Sequence, residues 1–423
     1  MKLIILFGIF LITLLVGMPI GYGMAISTVC VLFTDPKLNG TFLPQKMWTA
    51  LDSFSFMAVP FFMLAGSMME KTGITEILVE WARSLVGHLR GGLGHAAIVT
   101  GVVMAGVSGS ANADTAALSS MLVPMMREDG FDDGYSCALV ASCGALGPII
   151  PPSIMMVLYS GVCSIAIGKL FMAGFIPGII IAIGYMIINI LYARTHDIRL
   201  EKFVGWKKLG HDTLVALPAL VMPIIIIGGI LSGIFTATES GAIACGYCLL
   251  YGLFRKTLSL DFLKKCFMDA VHSTTTSMLI VGFACVFGAL ATNYNMAKVI
   301  QGAASGFAGS PELVLIFLSI ILYIAGMFID SNAVMFMLIP IFAPLIELYH
   351  YDPLYFAIVM ILALVMGGLS PPVGLLMYIA SSITGTDLGR VVRYIFRFIV
   401  VNYAVVILVI FLPKVALWLP SLM

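Results

Sequence analysis

The stretch Ser108-Gly-Ser-Ala-Asn-Ala-Asp114 is followed by Gly147-Pro-Ile-Ile-Pro-Pro152, and both return in altered form as Asp330-Ser-Asn332-Ala and Gly367-Gly-Leu-Ser-Pro-Pro372. Gly106 and Gly326, Asn112 and Asn332, Pro124 and Pro344, Tyr135 and Tyr355, Gly147 and Gly367, and the prolines 151–152 and 371–372 each stand 220 residues apart. One offset shared by so many positions marks an internal duplication. In an apolar chain, polar segments broken by Gly and Pro at matching places of two halves point to the binding site of a transporter.

The rest of the composition agrees with a membrane protein. Of 423 residues, 61% are hydrophobic and 10% charged, at a mean hydropathy of +1.09, well outside the range of soluble domains. Apolar runs recur from Leu3 to Leu419 without strand-like alternation, so the spanning elements are expected to be helices. The net charge of +1 says little about partners, because the charges are confined to loops. Leu3 to Val16 is short enough to suggest a secretory signal, yet Gly21 pairs with Gly241 at the same 220-residue offset, which favours a retained helix.

Basic clusters at Arg194–Lys208, Arg255–Lys265 and Arg390–Arg397 mark cytoplasmic loops. Placing them on one side gives each half five spans and one re-entrant hairpin. The first half, residues 1–194, carries a hairpin at about 93–126 and a broken helix at about 136–165. The second, residues 213–423, carries a hairpin at about 312–348 and a broken helix at about 355–383. Residues 195–212 form a cytoplasmic linker, and Phe203 and Trp206 suggest that Arg194 to Asp212 lies in the interface as an amphipathic helix, a character shared by Glu70 to Arg90. An odd number of spans inverts the second copy, so the hairpins enter from opposite faces. The fold expected is an all-α polytopic membrane protein of two inverted repeats.

Backbone that leaves the helix at membrane depth must be buried in protein or face water, because an unpaired peptide group in hydrocarbon costs several kcal/mol. Each tip and the break that faces it bring together free carbonyls, half-helix dipoles, hydroxyls and amides. Carbonyls suit a small cation, and exposed N–H groups suit an anion. The cation candidates are Ser108, Gly109, Ser110, Asn112, Gly144 and Gly147 in the first half, with Gly326, Asp330, Asn332, Gly367 and Ser370 in the second. They are oxygen donors without His or Cys, which fits an alkali cation. The anion candidates are Ser110, Asn112, Pro151, Pro152 and Ser153, with Asn332, Pro371 and Pro372. Asp114 and Asp330 lie far from the charged loops and either ligate a cation, accept a proton or cap a hairpin helix.

Other chemistry is thinly represented. Cys245-Gly-Tyr-Cys248 lies inside an apolar segment and reads as two small fillers. Glu239 follows Thr238 at a helix start and reads as a cap, and His272 among Ser273 and Thr274–Thr276 as packing. There is no GxxxxGK phosphate loop and no HExxH, which argues against ATP use and against a zinc protease. An intramembrane aspartyl protease using Asp114 and Asp330 would lack the GxGD context. Nothing points to nucleic acid.

At these residues the chain resembles the large membrane subunit, the DctM-type permease, of the tripartite ATP-independent periplasmic (TRAP) transporters. The resemblance runs from the N-terminus to the last span. It is carried by Val59-Pro-Phe-Phe-Met-Leu-Ala-Gly66, Gly106-Val-Ser-Gly-Ser110 with Ala113-Asp114, Gly147-Pro-Ile-Ile-Pro-Pro-Ser-Ile154, Gly233-Ile-Phe-Thr-Ala-Thr-Glu239 and Gly367-Gly-Leu-Ser-Pro-Pro-Val-Gly374. It implies a sodium-driven importer of a small organic anion in the bacterial inner membrane, working as an elevator of transport domain against scaffold. One sodium would lie between the Ser108–Asn112 tip and the Gly147 break, another between Gly326 with the Asp330 tip and Gly367–Ser370. It also implies a periplasmic substrate-binding protein and a small four-helix membrane subunit, here a separate chain because no helices precede Leu3. The anion would be a C4-dicarboxylate or sugar acid. A sodium/carboxylate symporter needing no binding protein is the alternative. Two tips, Ser110-Ala-Asn-Ala-Asp114 and Ile329-Asp-Ser-Asn332, are more polar than the family's usual version.

Overall fold

The computed structural model describes residues 2–36, 38–196, 198, 200–296, 298, 299, 302 and 310–423, with the side chain of Pro340 left aside. Asp197 and Arg199 of the expected linker, and most of the expected loop from Asn293 to Ser310, lie outside the described residues. Among the described residues every regular element is a helix. Five helices are long and apolar enough to cross a membrane unaided, and two bent pairs raise that to seven, so the chain is a multi-pass membrane protein.

Two helical hairpins form the centre. The first joins Gly92–Ser108 to Ala111–Glu128, and the second joins Pro311–Phe328 to Ser331–Tyr349. Each is followed by a broken helix: Asp133–Gly144 with Ile154–Cys163, and Pro353–Gly367 with Leu375–Thr384. Local chemistry sets these boundaries. Gly109 ends the first hairpin's opening helix in the left-handed region at φ 62°, and Ser110 then caps the next helix by accepting from Ala113 N–H. Asp132 and Asp352, again 220 residues apart, cap the two broken helices by accepting from two backbone N–H groups each. The double prolines end the opening segments, and both the 151–152 and the 371–372 bonds are cis.

The opening halves of the broken helices are enclosed on all sides: every residue from Gly134 to Gly144 and from Leu354 to Gly367 is buried. A helix apolar all round belongs inside a protein or a membrane, and here protein surrounds it. The halves of the chain interlock at the breaks. Leu375–Thr384 packs against Ala111–Glu128 and Asp133–Gly144, while Ile154–Cys163 reaches Ser331–Tyr349 and Pro353–Gly367. Around this centre, Ala58–Lys71 packs along Ala237–Phe254 and Leu260–Asn293, and Trp206–Leu231 lies against Ile74–Val86. Cys245 and Cys248 are unpaired thiols that donate to the carbonyls of Phe61 and Ala65 at this close helix contact.

Three details depart from the sequence reading. The span expected at Phe54–Met69 is preceded by a helix, Phe42–Leu51, that meets Phe54–Lys71 at 62°. Leu260–Asn293 is one helix of 34 residues, because Ser259 caps its start and Lys265 pairs with Asp261 one turn away, so the charged stretch stays helical. No interfacial helix fills Arg194–Asp212: residues 200–205 are non-helical and Trp206 begins the helix that runs to Leu231. Glu70–Arg90 does contain an amphipathic helix, Ile74–Val86, with Ile74, Leu78, Val79 and Ala82 buried.

At one end, Arg390 donates to Asp132 at 2.7 Å and lies 3.7 Å from Asp133, which also accepts from Arg127 at 2.6 Å. This cluster joins the end of the first hairpin to the last span. Burial pushes the Asp132 carboxyl up, but the Arg390 guanidinium and the N–H groups of Tyr135 and Gly134 outweigh it and hold the group below its ordinary value. A carboxyl depressed in the folded state contributes stability that is complete above its unfolded pKa of about 3.9 and is lost as pH falls through the folded value. Thermal unfolding in detergent is therefore expected to show Asp132→Asn less stable than the native protein at pH 6 to 7, with the gap closing below about pH 4. A gap unchanged at pH 3 would contradict the assignment.

Candidate functional site

Both hairpin tips open onto one cavity. The first tip contributes Gly109, Ser110, Ala111 and Asn112, and the second Ile329, Asp330, Ser331 and Asn332. The breaks contribute Pro148 with Ile154 and Gly368 with Leu375. Two further helices close it with Met63 and Ser277. Among the described residues the lining holds one carboxylate, Asp330, and no Lys, Arg or His. The positive ends of the helices that begin at Ala111 and Ser331 face it, so any attraction for an anion comes from dipoles, hydroxyls and amides.

The tips are held by the breaks. Ile154 N–H donates to Gly109 O at 3.4 Å, and Gly374 N–H donates to Met327 O at 3.4 Å. A Cβ on Gly109 would lie 2.5 Å from Pro152 O, and one on Gly367 would lie 2.6 Å from Gly326 Cα and from Tyr323 O. Ser331 donates its hydroxyl to Leu364 O at 3.1 Å, and Ser153 donates to Pro148 O at 2.7 Å while accepting from Met156 N–H.

Asp114 and Asp330 behave differently. Asp330 Oδ1 caps its helix by accepting from Asn332 and Ala333 N–H. Asp114 sits one turn further in and does not cap, since Ser110 already does. Its carboxyl is fully buried, Oδ1 accepts the Ser108 hydroxyl at 2.5 Å, and Oδ2 has no hydrogen-bond partner among the described residues. Oδ2 faces Gly147, where an added Cβ would come within 2.9 Å. The adjacent Thr115 hydroxyl is also buried without a partner, and a Cβ on Gly144 would lie 2.0 Å from it. Asn332 Oδ1 is a further buried oxygen that, like the Thr115 hydroxyl, has no partner among the described residues.

The expected residues therefore divide. Ser110, Asn112, Asp330 and Asn332 line the common cavity, whereas Pro151, Pro152, Ser153, Pro371 and Pro372 do not. The double prolines instead turn the chain aside, with Pro151 O and Pro152 O against Gly106 and Gly109. Gly326 and Gly367 are pressed together, and Ser370 donates its hydroxyl to Met366 O. Ser108 and Gly147 adjoin the Asp114 carboxyl, and Gly144 lies against the neighbouring Thr115. Sequence reasoning passed over Ser277 and Thr115. The polar run His272–Ser277 inside an apolar helix was the available signal for Ser277. His272 itself is exposed and, with Thr275, Thr276 and Tyr22, lines a lateral cavity that also reaches Asp330. Glu239 caps as expected, closing a reciprocal pair with Thr236 rather than Thr238.

The family described as "Tripartite ATP-independent periplasmic transporter, DctM component" matches residues 7–415. The chain is 31% identical to the 2,3-diketo-L-gulonate TRAP transporter large permease protein YiaN of Escherichia coli, over 98% of this chain and 97% of that one. It is likewise 31% identical to the C4-dicarboxylate TRAP transporter large permease protein DctM of Pseudomonas aeruginosa, over 94% and 93%. In fold it is similar to the YdaH transporter of Alcanivorax borkumensis, with a TM-score of 0.60 at 12% identity over 88% of this chain and 86% of that one.

Close packing at the breaks yields a direct check. Gly147→Ala and Gly367→Ala are expected to destabilise by about 1–3 kcal/mol each through overpacking, seen as lower melting temperatures in detergent. Gly228→Ala, with nothing within 4 Å of the added carbon, is expected to be neutral or slightly stabilising.

Proposed function

This chain belongs to the DctM component family of the tripartite ATP-independent periplasmic transporters, a family of permease subunits and not enzymes, and from that premise we propose that it imports a small organic anion coupled to sodium. The observation that carries the sodium reading is Asp114. A fully buried carboxylate with one oxygen unpartnered is expensive in a low-dielectric interior, and a desolvated alkali cation is the partner its surroundings fit. Ser108, Thr115 and the backbone near Gly144 and Gly147 supply only oxygen donors, as such an ion requires. Asp330 and Asn332 offer a second oxygen-rich position at the other tip.

The anion occupies the cavity between the tips, where Ser110, Asn112 and Asn332 meet the half-helix N-termini. Relatives named for 2,3-diketo-L-gulonate and C4-dicarboxylates support a carboxylate substrate of the sugar-acid or C4-dicarboxylate class. Family membership implies a small membrane subunit and a periplasmic substrate-binding protein as partners, and we place the complex in the bacterial inner membrane. On this reading the small subunit is a four-helix chain, and the hairpins and broken helices of two inverted repeats move together as an elevator.

The test is uptake by proteoliposomes that contain the chain with its small subunit and receive the binding protein from outside. Uptake is expected with an inward sodium gradient and to fall to background with choline. Asp114→Asn is expected to reduce the initial rate at least about tenfold, the scale of a lost charge-assisted contact. Equal uptake in choline would overturn sodium coupling, and full uptake without the binding protein would make the chain a self-sufficient symporter. A second check uses Asn112→Ala, expected to raise the substrate concentration for half-maximal uptake while leaving the sodium dependence in place.

A further inference from the structure

We propose that the segment Leu200–Lys208 with the facing side of Ile74–Val86 is a binding site for an anionic phospholipid of the cytoplasmic leaflet. The segment links the helix Ile167–Thr195 to the helix Trp206–Leu231, both long and apolar enough to span, so it lies where the membrane ends. Its large apolar side chains are turned outward: Trp206 is 80% exposed and Leu200 60%. Phe203 meets Trp206 edge to face at 5.3 Å, which fixes an aromatic pair at this level. Exposed aromatic and aliphatic groups of this size are costly against water and are satisfied by acyl chains.

Charge says which lipid. Lys202, Lys207 and Lys208 alternate with those apolar groups, all three are exposed, and none forms an ion pair among the described residues. Lys202 and Lys208 border an open cavity of about 950 Å³ together with Arg83, Glu201, Leu200 and Val204. Glu80 and Ser84 complete it. Glu201 is consumed by a two-pronged ion pair with Arg83, and Glu80 lies beside the same arginine. Lys202 and Lys208 are exposed and stand outside that ion pair, so the basin offers cationic groups to a phosphate whose tails would leave along Leu200, Val204 and Trp206. Each lysine close to an anionic leaflet adds roughly fivefold in affinity.

Location gives this site a role. Arg83 holds Glu201, Ser84 donates to Asp212, and Trp81 donates to Thr213 at 3.2 Å. The helix carrying these three donors, Ile74–Val86, runs from the span Ala58–Lys71 to the first hairpin, which begins at Gly92. A headgroup seated between Arg83 and the lysines fastens that connecting helix to the leaflet. The inference is independent of the substrate and of sodium.

The experiment uses the full chain with its small subunit in phosphatidylcholine vesicles containing brominated phosphatidylglycerol or, in a matched set, brominated phosphatidylcholine. The quenching lost on Trp206→Phe isolates the signal of Trp206. That signal is expected to be quenched at a mole fraction of the anionic lipid lower by at least about fivefold, the contribution of one lysine, with the preference abolished in Lys202→Gln/Lys207→Gln/Lys208→Gln. In the unsubstituted protein, raising NaCl from about 50 to 500 mM is expected to weaken the preference, so a misfolded variant does not remove the test. Equal quenching by both lipids, a preference indifferent to both lysines and salt, or displacement by about 10 mM inorganic phosphate, which would mark a site for free phosphate, each overturns the proposal.

Discussion

A peptide group inside hydrocarbon has no water to bond, so every place where this chain leaves the helix must be answered by another part of the chain. Four interruptions occur near the centre, and they answer one another in pairs. The tip at Gly109 receives Ile154 N–H from the first break, and Gly374 N–H of the second break reaches Met327 beside the other tip. The Asp and Ser caps complete the arrangement by filling the first-turn N–H groups that a helix cannot fill itself. Glycine is required where these partners touch: a methyl group on Gly367 would enter the backbone of Gly326, and one on Gly326 would run into Leu364 O.

The interlocking of the two halves follows from the same constraint. Leu375–Thr384, after the second break, packs on the first hairpin and the helix Asp133–Gly144, while Ile154–Cys163 packs mainly within its own half and touches the second hairpin. Two interruptions that would be liabilities alone thereby enclose a single polar cavity. The lateral helices show the complementary logic: Trp206–Leu231 carries scattered buried positions such as Ala216, Ala219 and Met222, and leaves much of its apolar surface outward, where lipid is the solvent.

Much of this was legible because the signals are local. Gly109 followed by Ser110, and Ile329 followed by Asp330, are a stop and a cap written next to each other, so the tips could be placed within a few residues. Gly147 to Pro152 and Gly367 to Pro372 announced the breaks for the same reason. The residues that line the cavity from elsewhere were not legible. Met63 and Ser277 are remote in sequence from both tips, and only the packing of Ala58–Lys71 and Leu260–Asn293 brings them there. The double prolines mark the breaks strongly, while the residues that line the cavity there are Pro148, Ile154 and Leu375. An amphipathic composition fits both a surface helix and a non-helical segment with outward apolar groups, and residues 200–205 take the second form, with Gly205 at φ 86° before the helix that starts at Trp206.

The absence of a basic side chain from the described lining of the cavity has a consequence for coupling. An anion entering it would meet the Asp330 carboxylate and two helix dipoles, each dipole worth about half an elementary charge at its terminus. That balance is close to neutral, so the protein alone holds an anion weakly. On the proposed reading a cation at the Asp330 tip would turn the same cavity positive, and one at Asp114 would cancel that carboxylate's charge nearby, without any side chain moving into the cavity. On the proposed reading the fixed charges thus make anion binding depend on prior cation binding, which is what a symporter requires and what an arginine in the cavity would defeat. The buried, half-satisfied Asp114 is then the element on which the coupling rests, because it is costly when empty and neutralised when occupied.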